Sequence, residues 1–187
     1  DIPASGSIAG LMAETDRVRG AFFSPAGFRR GQIRNVVKLA YNPVEADRDA
    51  LYKAGVNPVV TFPGEGTVLF GDKTGTSRPS AFDRINVRRL MIYLKSRVGA
   101  VARTVLFDQN VRATWNRFKA SAEPILADAK SRFGVSEYKL VLDETTTTPD
   151  LVDRNILYAK VFVKPARAIE YIAVDFFITS TGASFEE

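Results

Sequence analysis

Two helical stripes in the second half of the chain restrict its fold most. From Asn86 to Thr104, and just beyond at Val105, the residues Val87, Leu90, Met91, Leu94, Val98, Val101 and Val105 recur at three- and four-residue steps. On a helix they share one face. Arg88, Arg89, Lys95, Ser96 and Arg103 fall on another, so one side is core and one side is cationic. From Val111 to Phe133 a second stripe runs through Val111, Trp115, Phe118, Ala122, Ile125, Leu126, Ala129 and Phe133. It keeps phase across Pro124, which predicts one kinked helix rather than two. Gly134 closes it.

The elements around these helices are shorter. Ser5–Arg19 reads as a helix or ordered arm, and Ser24-Pro25-Ala26-Gly27 as a turn. Residues Ile33–Leu39 have the apolar content of a strand. Asn42-Pro43-Val44-Glu45 predicts a helix start, with Asn42 as cap and Glu45 completing a capping box. That helix ends near Lys53, where Gly55 can take a left-handed backbone. Val59–Phe62 and Thr67–Gly71 read as a strand pair around Pro63-Gly64-Glu65-Gly66. Tyr138–Leu142 reads as a strand, Thr148 to about Asn155 as a short helix, and Leu157–Val163 as a strand. Ile169–Thr179 reads as a last, long strand before a polar tail that contains Phe185. The expected class is mixed α/β (α+β): a small mixed β-sheet flanked by helices, with a C-terminal arm strand. Residues 1–179 form the domain and residues 180–187 the arm.

The 187-residue chain contains no Cys and no His. Thiolate nucleophiles, disulfides, imidazole bases and the usual zinc ligands are therefore excluded together. No apolar run is long enough for a membrane-spanning helix. The net charge is +5, but Arg84–Val105 alone carries six cations and no acid. A concentrated basic face fits an acidic partner, or else a solvated helix face.

No motif supports catalysis. Pro63-Gly64-Glu65-Gly66 lacks the Lys-Ser/Thr of a phosphate-binding loop and reads as a strand turn. Asp143, Glu144, Asp150 and Asp153 fit no magnesium-binding spacing. No Ser sits in a nucleophile elbow. The expectation is a structural, self-assembling protein without catalytic residues, cofactor or metal.

The last strand carries the positive signal. Ile172, Val174, Phe176 and Ile178 share one face, while Tyr171, Ala173 and Phe177 share the other. A strand apolar on both faces expects burial on both faces. One reading makes its first half a central strand of the domain's own sheet. The other sends about Ile178–Glu187 to a neighbour's sheet by strand addition, with Phe185 setting register.

The ordered set of segments carries a family resemblance. Val56-Asn57-Pro58-Val59-Val60-Thr61-Phe62-Pro63-Gly64-Glu65-Gly66 leads into Leu69-Phe70-Gly71-Asp72-Lys73-Thr74 and Asn86-Val87-Arg88-Arg89-Leu90. Phe107-Asp108-Gln109-Asn110 precedes Trp115. Asp143-Glu144-Thr145-Thr146, Asp153-Arg154, Val163-Lys164-Pro165-Ala166-Arg167 and Ser184-Phe185-Glu186-Glu187 follow. Together they resemble the conserved C-terminal, tube-proximal region of contractile phage tail sheath proteins.

The resemblance implies a subunit that polymerises around a tail tube and contracts to drive the tube through the host envelope. Neighbouring subunits would exchange arm strands, here through Ile172, Val174, Phe176, Ile178 and Phe185. Arg88, Arg89, Lys95 and Arg103, or Arg112, Lys119 and Lys130 on the next helix, would face an acidic tube wall. The implied partners are other sheath subunits, the tail tube, and tail terminator and baseplate proteins. Neither nucleic acid nor membrane insertion is implied. The implied location is the virion, after assembly in the host cytoplasm. The N-terminal arm and outer domains of a complete subunit would lie outside this chain. The rival readings are the sheath of a bacteriocin or secretion-type particle and a basic nucleic-acid-binding module, though no nucleic-acid motif is present.

Overall fold

The structure, a computed structural model, describes residues 2–173. Nine elements follow one another: α1 (Ser5–Val18), α2 (Glu45–Lys53), β1 (Val59–Phe62), β2 (Gly66–Leu69), α3 (Ile85–Thr104), α4 (Arg112–Ser131), β3 (Val135–Val141), α5 (Pro149–Asp153) and β4 (Lys160–Pro165).

The two predicted stripes form the core. Leu90 and Leu94 of α3 meet Leu126 and Ala129 of α4, with Phe22 and Val135 completing one cluster. Trp115, Phe118 and Ala122 build a second cluster against Leu142, under Val98, Val101 and Val105 of α3. The Trp115 indole N–H donates to Asn110 Oδ1 at 2.7 Å, so its one polar atom is satisfied on entering the core. Pro124 lies within α4 on an exposed position, and the helix continues through it.

α4 closes at Phe133 and Gly134. Phe133, and not Gly134, takes the left-handed backbone (φ 61°). Gly134 N–H then bonds the Ala129 carbonyl at 2.7 Å and Phe133 N–H the Lys130 carbonyl at 3.0 Å, a Schellman closure. Gly134 is required for space, because a Cβ there would lie 2.7 Å from the Phe22 ring.

The strands form two separate antiparallel pairs among the described residues, and not one mixed sheet. β1 and β2 make a hairpin with Val60 opposite Val68 and Thr61 opposite Thr67. β3 and β4 pair with Tyr138 opposite Val163 and Leu140 opposite Val161, with a bulge near Val135. The β1–β2 hairpin and the β3–β4 ribbon are separated along the chain by α3 and α4.

Three local expectations are corrected. Ile33–Leu39 forms no strand: Asn35 adopts φ 61°, which breaks an extended run, and Val37 is 100% exposed. Asn42 does not cap α2. Val44 is the N-cap, and its N–H is met by the Asp47 carboxylate at 3.3 Å. Residues 169–173 form no strand in either sheet, which overturns the reading of the last strand's first half as a central strand of this domain. Its remainder, residues 174–179, lies outside the described residues.

Candidate assembly surfaces

The two strand pairs differ in whether their edges are open. The outer edge of β2 is covered by residues 27–33, in the segment between α1 and α2. Ile33 N–H donates to the Thr67 carbonyl (2.8 Å), Leu69 N–H to the Gly31 carbonyl (2.7 Å) and Gly27 N–H to the Leu69 carbonyl (2.9 Å). On β1, one side chain does the work of a strand. Asn42 Oδ1 accepts from Thr61 N–H at 2.8 Å, and Asn42 Nδ2 donates to the Thr61 carbonyl at 3.1 Å. A primary amide matches the donor and acceptor of a peptide group, so it blunts an edge that would otherwise template pairing. Asn57 repeats the device at Lys73, with both bonds at 2.8 Å.

Among the described residues, β3 and β4 have no such cover. Among the described residues, no main-chain hydrogen bond reaches the outer edge of either strand. Phe162 of β4 and Tyr158 just before it are exposed. Among the described residues the ribbon therefore leaves two ladders unpaired, the template a further strand needs.

The described end of the chain is held at two points. Asn86 Nδ2, in the first turn of α3, donates to the Ala166 carbonyl at 3.2 Å. Glu170 is gripped harder. Arg84, the N-cap residue of α3, forms a two-pronged ion pair with it: Nε meets Oε1, and Nη2 donates to Oε2 at 3.0 Å. The Tyr52 hydroxyl donates to Oε1 at 2.9 Å. Lys73 Nζ lies 3.9 Å from the centre of the Tyr52 ring and donates to the Tyr52 carbonyl, which fixes the tyrosine. The Arg84 hydrogen bond holds the Glu170 carboxyl below the usual range, and the same bond raises Arg84. Burial, then the bond to Glu170, pushes the Tyr52 hydroxyl up, so it remains a donor. By contrast, Ile169, Tyr171 and Ile172 are 82%, 84% and 81% exposed.

Beneath this clamp lies Asp72, 4% exposed. Burial raises its carboxyl to about 6, although the Ser24 hydroxyl and the Asn86 amide partly favour the charged form. Neither carboxylate oxygen meets the full distance and angle of a hydrogen bond among the described residues.

The predicted cationic residues divide on inspection. Arg88, Lys95 and Arg103 are exposed along one side of α3, a stripe of about 22 Å. Arg89 is withdrawn from that surface: it pairs with Asp16 of α1 at 2.5 Å, and its Nη1 is buried. It fastens α1 to α3. On α4, Lys130 is exposed, Lys119 is half-buried near Asp143, and exposed Arg112 pairs with Glu144 at 2.6 Å. Of the predicted strand-exchange residues, Ile172 is exposed, while Val174, Phe176, Ile178 and Phe185 lie outside the described residues.

The weighed chemical motifs resolve as structural. Pro63-Gly64-Glu65-Gly66 is the β1–β2 turn, with left-handed glycines at Gly64 and Gly66. The Asp143 carboxylate accepts from the Thr145 N–H at 2.8 Å and from the Thr145 hydroxyl, and is held low by those bonds. No acidic group capable of holding a metal ion forms among the described residues, and no described helix is long and apolar enough to cross a membrane.

Two family models match: the phage tail sheath protein central domain over residues 1–75, and the phage tail sheath C-terminal domain over residues 77–179. The tail sheath protein of Enterobacteria phage T4 is 46% identical over 186 residues, and that of Vibrio phage KVP40 is 47% identical. Each comparison covers 100% of this chain and 28% of the relative, so the chain spans under a third of their length. The tail sheath protein of Salmonella phage ViI is 35% identical, over 100% of this chain and 30% of that protein. Among solved structures, the sheath complex of the extracellular contractile injection system PVC in its contracted state superposes with a TM-score of 0.86. It is 22% identical, over 95% of this chain and 51% of the other. The anti-feeding prophage helical sheath in the contracted state gives 0.84 at 22% identity, over 94% and 50%. By the residues it matches, the chain belongs to the phage tail sheath protein family.

Proposed function

We propose that the chain is part of a contractile tail sheath subunit, which polymerises around a tail tube and contracts to drive the tube through the host envelope. The observation that carries this is the 46–47% identity to two phage tail sheath proteins over the full chain. The role is mechanical, without a catalytic residue or cofactor. The partners are neighbouring sheath subunits, the tube, and terminator and baseplate proteins. The site of action is the virion, following assembly in the host cytoplasm.

The open edges of β3 and β4 are the sites for strand addition between subunits, with Ile172, Val174, Phe176, Ile178 and Phe185 as the donated residues. The contrast with the closed β1–β2 pair supports this assignment. A backbone ladder is independent of how the two domains are oriented, so it can persist while they rotate during contraction. Arg88, Lys95 and Arg103 form the tube-facing set on α3, with Arg112, Lys119 and Lys130 as the α4 alternative. Each exposed ion pair is worth about 0–1 kcal/mol, so the attachment gains strength from repetition yet breaks contact by contact.

Likeness to the PVC and anti-feeding prophage sheaths favours one second reading, a subunit of a contractile injection particle other than a phage. Electron microscopy of the full-length subunit tests the shared claim. Striated tubes in an extended and a shortened form are expected, and a subunit that never forms tubes contradicts it. Isolation of the native particle, with or without a DNA-filled head, separates phage from non-phage.

A further inference from the structure

We propose that the Arg84–Glu170–Tyr52 clamp is a mechanical anchor, joining the strand-exchanging segment to the N-terminus of the cationic helix α3. The proposal rests on the strand-exchange reading and adds the residues through which force enters the domain.

The geometry is asymmetric in a telling way. After β4, the chain is held through Ala166, whose N–H donates to the Gly134 carbonyl (3.0 Å) and whose carbonyl accepts from Asn86 in the first turn of α3, and through Glu170, held by Arg84 at the N-cap of α3 and by Tyr52 of α2. The apolar side chains on either side of Glu170 stand in solvent. Packing therefore does not hold this stretch; a bidentate, charge-assisted pair does. Arg84 is itself fixed on two further sides. It bridges to Lys73 in antiparallel fashion, and the next residue, Ile85, donates its N–H to the Asp72 carbonyl at 2.8 Å. Tension on the segment beyond Glu170 thus reaches the N-cap of α3, whose exposed side carries Arg88, Lys95 and Arg103. The two proposed assembly surfaces are joined by one ion pair. Fixing the departure point also raises the effective concentration of the arm at its acceptor, because it sets where the arm begins.

The test uses the full-length subunit and measures the critical concentration for tube assembly by sedimentation, with circular dichroism and thermal melting of the unassembled subunit alongside. Glu170→Ala is expected to raise the critical concentration about tenfold with the melting curve nearly unchanged, and Tyr52→Phe to raise it less. Arg84→Glu is expected to fail like Glu170→Ala, and pairing it with Glu170→Arg to restore most of the loss. If Arg84→Glu prevents folding, Glu170→Gln replaces it in the series, with a smaller expected rise. Wild-type assembly by Glu170→Ala, or no rescue by the swap, overturns the anchor. Truncation after Ala173 separates the two ideas. Loss of assembly there with normal Glu170→Ala tubes rejects the anchor alone, whereas normal tubes from the truncation reject the strand-exchange reading itself.

Discussion

Replacing Asp72 by Asn should stabilise the protein, and by an amount that grows with pH. The carboxylate is buried, 4% exposed, and lacks a well-formed hydrogen bond among the described residues. Burial raises it from 3.8 to about 6. A folded-state value above the unfolded one means the native state holds the proton more tightly. The associated stability is present below the unfolded value near pH 4 and is lost as pH rises through about 6. At about 1.4 kcal/mol per pKa unit, a displacement of roughly two units corresponds to about 3 kcal/mol at pH 7.5. Asn keeps the shape and removes the charge. Urea unfolding of wild type and Asp72→Asn at pH 4, 5, 6 and 7.5 should give a difference near zero at pH 4 that climbs towards about 2–3 kcal/mol in favour of the variant. Near neutral pH that is about 5–10 °C in melting temperature. A difference independent of pH, or a variant less stable at pH 7.5, would refute the claim that this carboxylate is buried and charged.

Other expectations follow from the packing and the edges. Gly134→Ala places a methyl 2.7 Å from the Phe22 ring and should destabilise by about 1–3 kcal/mol in chemical denaturation, whereas a neutral result would mean the Phe22 ring yields freely. Asn42→Ala removes both bonds to Thr61, so the Thr61 amide should lose hydrogen-exchange protection and the subunit should aggregate faster at modest cost in stability, under about 2 kcal/mol. Unchanged protection would show the edge is covered by something else. Arg88→Glu with Lys95→Glu should leave the fold intact and weaken attachment to isolated tubes, increasingly so at low salt. Salt-independent, undiminished binding would move the contact to α4.

The helices were legible in the sequence because a 3.6-residue stripe is a local pattern: α3 and α4 fall within about two residues of their expected ends. Hairpin β1–β2 was legible for the same reason, through its glycine turn. Most of the failures share a cause in non-local pairing. Asn42 has the composition of a helix cap, but its partner Thr61 lies nineteen residues on. Arg89 counts as surface charge until α1 folds back and places Asp16 against it. Glu170 lies 86 residues from Arg84, and no spacing rule joins them. Residues 33–39 have strand-like side chains, but the left-handed backbone at Asn35 interrupts them. Open and closed sheet edges are likewise invisible to periodicity, since they depend on what the rest of the chain covers.

The central claim is that this domain assembles through strands added to β3 and β4. A structure of the assembled sheath from the full-length subunit, at a resolution that separates strands, tests it most directly. The account predicts a neighbouring subunit's chain hydrogen-bonded along an outer edge of the Val135–Val141 and Lys160–Pro165 ribbon, in both extended and contracted tubes. Ordered tubes in which both outer edges of that ribbon face solvent would contradict it.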